Sequence, residues 1–121
     1  MKSLLVALAI ITAAPSALAC SCMRPGPDAP QPEIIVKARV ETVTRSGHGI
    51  VARLRVIDRV KGRTPRLIDV HTAGHPAACG VSFKPGDLSR YAIGRNQGRF
   101  TANSCMQFLM NYRDRQTIPQ E

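Results

Sequence analysis

Four cysteines constrain the fold of this chain more than any other feature, because two of them lie almost side by side. Cys20 and Cys22 are separated by a single serine, whereas Cys79 and Cys105 lie far along the chain. An even number of cysteines in an exported protein indicates disulfide bonds. A bridge between Cys20 and Cys22 is sterically awkward, which leaves two long-range pairing schemes. In both schemes, the intervening residues must fold so that the two distant thiols meet the segment 20–22.

The residues before Cys20 have the order of an export signal. A short positive start (Met-Lys) is followed by the largely apolar residues 3–14 and by a small-residue cleavage site, Ala-Leu-Ala, at 17–19. We therefore expect residues 1–19 to be a signal peptide and the mature protein to be periplasmic or secreted, with Cys20 as its first residue. The apolar run is too short for a stable membrane span.

A lipoprotein signal is the alternative, because it also ends at a cysteine that becomes the first residue. Such a signal usually has leucine three positions before the cysteine, whereas here Ala17 stands at that position and Leu18 one position later. The membrane is therefore expected as a partner only if Cys20 is lipidated. Lipidation would also acylate the α-amine of Cys20.

The composition favours one small domain with an aliphatic core. Removal of residues 1–19 from the 121 leaves 102 residues, which is enough for one domain. Trp is absent and aromatic residues make up only 4% of the chain, so Val, Ile, Leu and Ala must fill the core. The formal net charge is +9 at pH 7, but the arginines are scattered rather than clustered. This pattern favours a solvated exported domain over a polyanion-binding surface.

Alternation of apolar and charged residues predicts strands, and turn residues separate them. The predicted strands are 34–41, 50–59, 67–72, 88–93 and 99–104. The first two are joined by a Gly-rich turn at 46–49 and form a hairpin. Five short strands with tight turns favour a small closed or nearly closed barrel, and the pattern alone leaves both an OB-type barrel and a sandwich open.

The segments that flank these strands are predicted to be irregular, apart from one short helix. Residues 23–32 contain four prolines and therefore predict an extended arm. Residues 106–112 predict one or two helical turns, and residues 116–121 a flexible tail. The folded domain is accordingly expected to span residues 20–115.

Several stretches of this chain resemble the motifs of one known family. They are the Cys-Ser-Cys start at 20–22, VKARV at 36–40, VKG at 60–62 and ACGVSF at 78–83. With them, residues 20–110 resemble the N-terminal domain of the tissue inhibitors of metalloproteinases, a netrin-like domain with an OB fold. No cysteine stands here for the family's third disulfide in this domain.

The resemblance implies both a fold and a disulfide pairing. It implies an all-β, five-stranded OB-like barrel with at most a short C-terminal helix. It also implies bridges from Cys20 to Cys79 and from Cys22 to Cys105. Spans of this length each stabilise a domain by about 4 kcal/mol at most in the chain-entropy model.

The resemblance further implies a function at the new N-terminus. In the family, the α-amine and the carbonyl oxygen of the first cysteine chelate the zinc of a metalloprotease, and the next side chain enters a specificity pocket. The residues that would contact the protease here are Cys20, Ser21, Cys22, Met23, Arg24 and Pro25. The expected protein is thus a binding domain rather than an enzyme, with no cofactor and with a zinc metalloprotease or another envelope or extracellular protein as its partner.

Two other functions remain open at this point. In the first, the domain has a purely structural or envelope-associated role. In the second, it carries a periplasmic metal such as copper through His48, His71 and His75. We expect no nucleic-acid partner, because OB folds bind single strands with stacked aromatic side chains and this chain has few. The sequence contains no carboxylate pair, Ser-x-x-Lys motif or phosphate loop that would indicate an enzyme.

Overall fold

The computed structural model describes residues 20–22, 29–47 and 49–117. The predicted signal peptide at 1–19, the predicted contact residues Met23, Arg24 and Pro25, and the ligand candidate His48 lie outside the described residues. Among the described helices, none is long and apolar enough to cross a membrane.

In the part of the chain that the structure describes, five strands form a sheet and one helix follows them. The strands are β1 (Ile34–Ser46), β2 (Gly49–Lys61), β3 (Leu67–Ala73), β4 (Leu88–Asn96) and β5 (Arg99–Thr101). A single 3-10 turn, Pro76–Ala78, lies between β3 and β4, and the helix α1 spans Ser104–Thr117.

The five strands close into a ring. They are hydrogen-bonded in the order β1-β2-β3-β5-β4, and β4 pairs again with β1. The pairs are antiparallel except for β3 with β5, which is parallel. Closure of a sheet removes the unpaired edges that would otherwise attract other chains. The prediction of a closed five-stranded barrel is confirmed.

The barrel core is aliphatic and consists of alternate residues of the strands, as the period-two pattern predicts. The fully buried side chains of largest volume are Leu54, Ile93, Val36, Val40 and Val70 in the strands, together with Met110 in α1. Two aromatic residues complete the core, because the rings of Phe83 and Tyr91 lie 5.2 Å apart between centroids. The predicted apolar row of β2 is buried apart from Ile50, which is only partly covered.

The C-terminal part of the prediction was wrong in its boundaries. Strand β5 ends at Thr101 rather than at Ser104, and α1 has 14 residues rather than one or two turns. The reason is a helix cap, because the side-chain Oδ1 of Asn103 accepts a hydrogen bond of 2.8 Å from the backbone N–H of Met106. Cys105 therefore lies in the first turn of a helix and not at the end of a strand.

Helix α1 is attached to the barrel through Gln107. Strand β5 pairs with β4 only from Gly94 onward, so the backbone of Arg90 and Ala92 faces α1 instead. The Gln107 Nε2 donates to the Arg90 carbonyl (2.7 Å), and the Ala92 N–H donates to the Gln107 Oε1 (3.0 Å). One side-chain amide thus takes the place of a neighbouring strand and holds α1 against β4.

Candidate functional site

Two disulfides tie the segment Cys20–Cys22, which we call the N-terminal ridge, to the rest of the protein. Cys20 is bonded to Cys79 and Cys22 to Cys105, with Cα–Cα distances of 5.0 and 5.2 Å. This is the pairing that the resemblance implies, and the prediction of two disulfides is confirmed. The chain segments that carry Cys79 and Cys105 are also hydrogen-bonded to each other, because the Ser104 N–H donates to the Cys79 carbonyl over 2.9 Å.

Cys79 is presented by a tight turn that follows β3. The His75 Nδ1 accepts a hydrogen bond from the Ala77 N–H (3.1 Å), and the Cys79 N–H donates to the Pro76 carbonyl (3.1 Å). Cys79 itself has a left-handed backbone with φ of 65°. A non-glycine residue pays about 1 kcal/mol for that conformation, so the hydrogen bonds and the disulfide must hold it.

Glycine is required next to this turn. A Cβ atom on Gly80 would collide with the carbonyl oxygen of Ala73 at the end of β3. The following backbone is fixed as well, because the Val81 N–H donates to the Oγ1 of the buried Thr72 over 2.8 Å. The order of residues in the Ala-Cys-Gly-Val stretch therefore follows from the structure, because this stretch turns the chain closely around the end of β3.

The N-terminal ridge is accessible between its two anchors. Cys20 is half-buried, whereas Ser21 and Cys22 are exposed. Because the residues on both sides of Ser21 are covalently attached to the body of the protein, the backbone of Ser21 has little freedom. The arrangement presents one small polar side chain and the Cys20 backbone from a rigid support.

The sulfur atoms of the two disulfides lie side by side. The Sγ of Cys105 is 3.7 Å from the Sγ of Cys20 and 3.9 Å from the Sγ of Cys79. The Ser104 hydroxyl is also close, with its Oγ 3.4 Å from the Cys20 Sγ. We call Cys20, Cys22, Cys79 and Cys105 the cysteine cluster. Ser104 directly precedes Cys105 in the sequence, but the sequence pattern does not predict the contact of Ser104 with Cys20.

A shallow cavity opens one residue beyond Cys79. Its volume is about 100 Å³, and its lining residues are Ile50, Ala73, Gly74, His75, Pro76, Gly80, Val81 and Ser82. Cavities that bind organic ligands are commonly about 300–1,000 Å³. The cavity is therefore smaller than a typical site for an organic ligand, and its size is that of one small side chain.

The two histidines that the structure describes do not join a metal-ligand group. The backbone carbonyl of His71 accepts a hydrogen bond from the Ala102 N–H. The side-chain Nδ1 of His75 accepts one from the Ala77 N–H. Among the described residues, the group whose ligand atoms meet is Cys20, Cys79 and Cys105. This group contains neither His71 nor His75, and the third ligand candidate, His48, lies outside the described residues.

The shifted pKa values belong to the barrel rather than to the cysteine cluster. The hydrogen bond from Arg53 lowers the pKa of the Asp69 carboxyl, and these side chains form an ion pair of 3.0 Å between β2 and β3. Burial raises the pKa of the Tyr91 phenol, and the charge of Asp87 adds to this effect. Neither shift supplies an acid or a base at the N-terminal ridge.

No protein-family model matches the chain, and neither a curated protein nor a solved structure matches it. The resemblance to the tissue inhibitors of metalloproteinases therefore stays a prediction that depends on the motifs themselves.

Proposed function

We propose that this protein is an exported binding domain with an OB-like barrel, and that its N-terminal ridge inhibits a zinc metalloprotease. The barrel type is supported by the strand order β1-β2-β3-β5-β4 with closure on β1. The function is supported chiefly by one observation, the exposure of Ser21 between two cysteines that are both bonded to the body of the protein.

The chemistry depends on cleavage before Cys20. Cleavage frees an α-amine with a reference pKa of about 7.7–8, so part of it is neutral at pH 7. A neutral amine and the Cys20 carbonyl oxygen form a five-membered chelate around Zn²⁺. A catalytic zinc keeps one coordination position for water, and the chelate would displace that water.

The disulfides make such binding less costly in entropy. A free N-terminus would have to be ordered when it bound, whereas this ridge is ordered beforehand at both cysteines. Ser21 then enters the neighbouring specificity pocket of the protease. The cavity beside Cys79 accepts one small apolar side chain from the rim of the same partner, because its lining includes Ile50, Pro76 and Val81.

The experiment compares two forms of the mature protein, residues 20–121 and the same chain with one Ala added before Cys20. The first is expected to inhibit a zinc metalloprotease, and the second to lose at least about 100-fold in inhibition constant, because the amine moves away from the Cys20 carbonyl. The melting temperature should stay the same. A chain with one Ala added after Glu121 is the matched control and should inhibit fully.

Two outcomes would contradict the proposal. Equal inhibition by both N-terminal forms would mean that the chelate plays no part. Absence of inhibition across a panel of zinc metalloproteases would favour the structural or envelope role. The intact mass of the protein from its own host decides the premise, because a mass increment the size of a diacylglycerol group would show that the amine is blocked.

A further inference from the structure

Three cysteine sulfurs that belong to two different disulfides meet at one point of the structure. The Sγ atoms of Cys20, Cys79 and Cys105 all lie within 4.8 Å of one another. Two of the three distances, from Cys105 to the others, are 3.7 and 3.9 Å. In a tetrahedral zinc site with Zn–S bonds of about 2.3 Å, two sulfur ligands are about 3.8 Å apart. Two edges of a zinc–thiolate triangle are therefore already in place.

The third edge is the Cys20–Cys79 bond itself. Reduction would have to separate these two sulfurs from about 2.05 Å to about 3.8 Å, which small side-chain rotations can supply. From these distances we propose that the reduced protein binds one Zn²⁺ through the thiolates of Cys20, Cys79 and Cys105. Zinc and the two disulfides are then alternative states of the same cluster.

The geometry favours this outcome over exchange between the two disulfides. A thiolate attacks a disulfide along the S–S axis, so an attacking sulfur in line would show two distances that differ by about 2 Å. The Cys105 sulfur is instead almost equally far from Cys20 and Cys79. It lies beside the bond, where it is badly placed to attack and well placed to share a metal ion.

Two corners of the triangle, Cys79 and Cys105, are also held by contacts other than the disulfides. The backbone hydrogen bond from Ser104 to Cys79 joins the α1 start to the turn after β3, and Gln107 holds α1 on β4. Cys105 also lies in the first turn of the 14-residue helix α1, so the helix backbone fixes its position in addition to the disulfide. The Ser104 hydroxyl or a water molecule would complete a coordination shell of three sulfurs and one oxygen.

The chemistry balances with a dithiol as the reductant. Each disulfide takes two electrons and two protons from one dithiol, which itself becomes a disulfide. Two equivalents therefore give four thiols, and Zn²⁺ then displaces the protons of three of them. Two equivalents of a small-molecule disulfide reverse the process and release the ion, because each accepts two electrons and two protons and becomes a dithiol.

The first test titrates Zn²⁺ against the protein in the absence of oxygen, with a chromophoric chelator as competitor. The fully reduced protein is expected to hold one Zn²⁺ per chain, and the oxidised protein none. Absence of tight binding by the reduced protein would overturn the proposal.

Two variants of one disulfide provide a matched control. Cys22→Ser and Cys105→Ser both remove the Cys22–Cys105 bridge, and both leave three cysteines. After reduction, Cys22→Ser should bind zinc within about threefold of the wild type, whereas Cys105→Ser should lose at least about 100-fold. Co²⁺ in place of Zn²⁺ should show strong sulfur-to-metal absorption with the first variant and little with the second. An unfolded chain would use any three thiols, so equal affinities in the two variants, whether tight or absent, would overturn the proposal.

Discussion

The barrel and the N-terminal ridge are held together by different forces. The barrel buries aliphatic side chains such as Leu54 and Val36 completely, and its strands pair around a closed ring. The ridge and its supporting turn bury much less, because Ser21 and Cys22 are exposed and the Pro76–Ala78 turn has no buried residue. Burial stabilises the first region and covalent bonds stabilise the second. Presentation of the ridge can therefore be changed without a change in the core.

Of the predicted changes, removal of one disulfide should have the largest effect on the free energy of unfolding. The Cys20→Ser/Cys79→Ser pair is expected to lower the free energy of unfolding by up to about 4 kcal/mol, because the bridge restricts the unfolded chain. Denaturant unfolding monitored by circular dichroism measures this loss. The spans are 59 and 83 residues, so removal of the Cys22–Cys105 bridge should cost almost the same, since the dependence on length is logarithmic. A loss below about 1 kcal/mol in both pairs would contradict this account.

Truncation of a core side chain tests how far burial stabilises the barrel. Leu54→Ala should lower the free energy of unfolding by about 3 kcal/mol, because the side chain is fully buried and leaves a cavity. Leu67→Ala is the control, since Leu67 is 43% exposed and its removal should cost less than about 0.5 kcal/mol. At low temperature, Leu54→Ala should keep the ridge intact and leave the proposed inhibition unchanged. A variant that stayed folded and lost inhibition would show that the two regions are coupled.

The junction of α1 and β4 is expected to matter to an intermediate degree. Gln107→Ala removes two hydrogen bonds and leaves the Ala92 N–H and the Arg90 carbonyl without this partner, which should cost about 1–2 kcal/mol. Hydrogen exchange at the Ala92 amide should become faster, whereas exchange in β2 should not. Asn111→Ala, on the exposed side of the same helix, is the control and should change neither. Unchanged exchange at Ala92 in the Gln107 variant would count against the proposed attachment.

The smallest effect is expected on the outer face of the barrel. Asp69→Asn breaks the ion pair with Arg53. The side chains of Arg53 and Asp69 are 50% and 49% exposed, so only a slight fall in melting temperature is expected at neutral pH. The pKa of Asp69 is lowered in the folded state, so its contribution exists above the unfolded pKa and is lost as the pH falls through the folded pKa. The melting temperatures of the two proteins should converge when the pH is lowered from about 5 to about 2. A difference that grew at low pH would contradict the sign of the shift.

The strand pattern could be predicted because each strand carries its own signal. Alternation at Ile34 to Val40 directly reports which side chains face the core, and all four apolar members of that row are buried. The helix boundary was harder, because Asn103 and Ser104 are acceptable at the end of a strand as well as at the start of a helix. The deciding contact, Asn103 with the Met106 N–H, forms only when the chain has already turned away from the sheet.

The amino-acid sequence alone specifies the alternating rows that fill the barrel and the even number of cysteines that are available to bond. These are local properties, since a side chain is apolar or polar wherever the chain goes. Two other features follow from the three-dimensional fold: β3 and β5 run parallel, and the Cys105 sulfur lies beside the Cys20–Cys79 bond. The reason is that such neighbours are brought together by barrel closure and by the direction of α1, and both depend on many distant contacts at once.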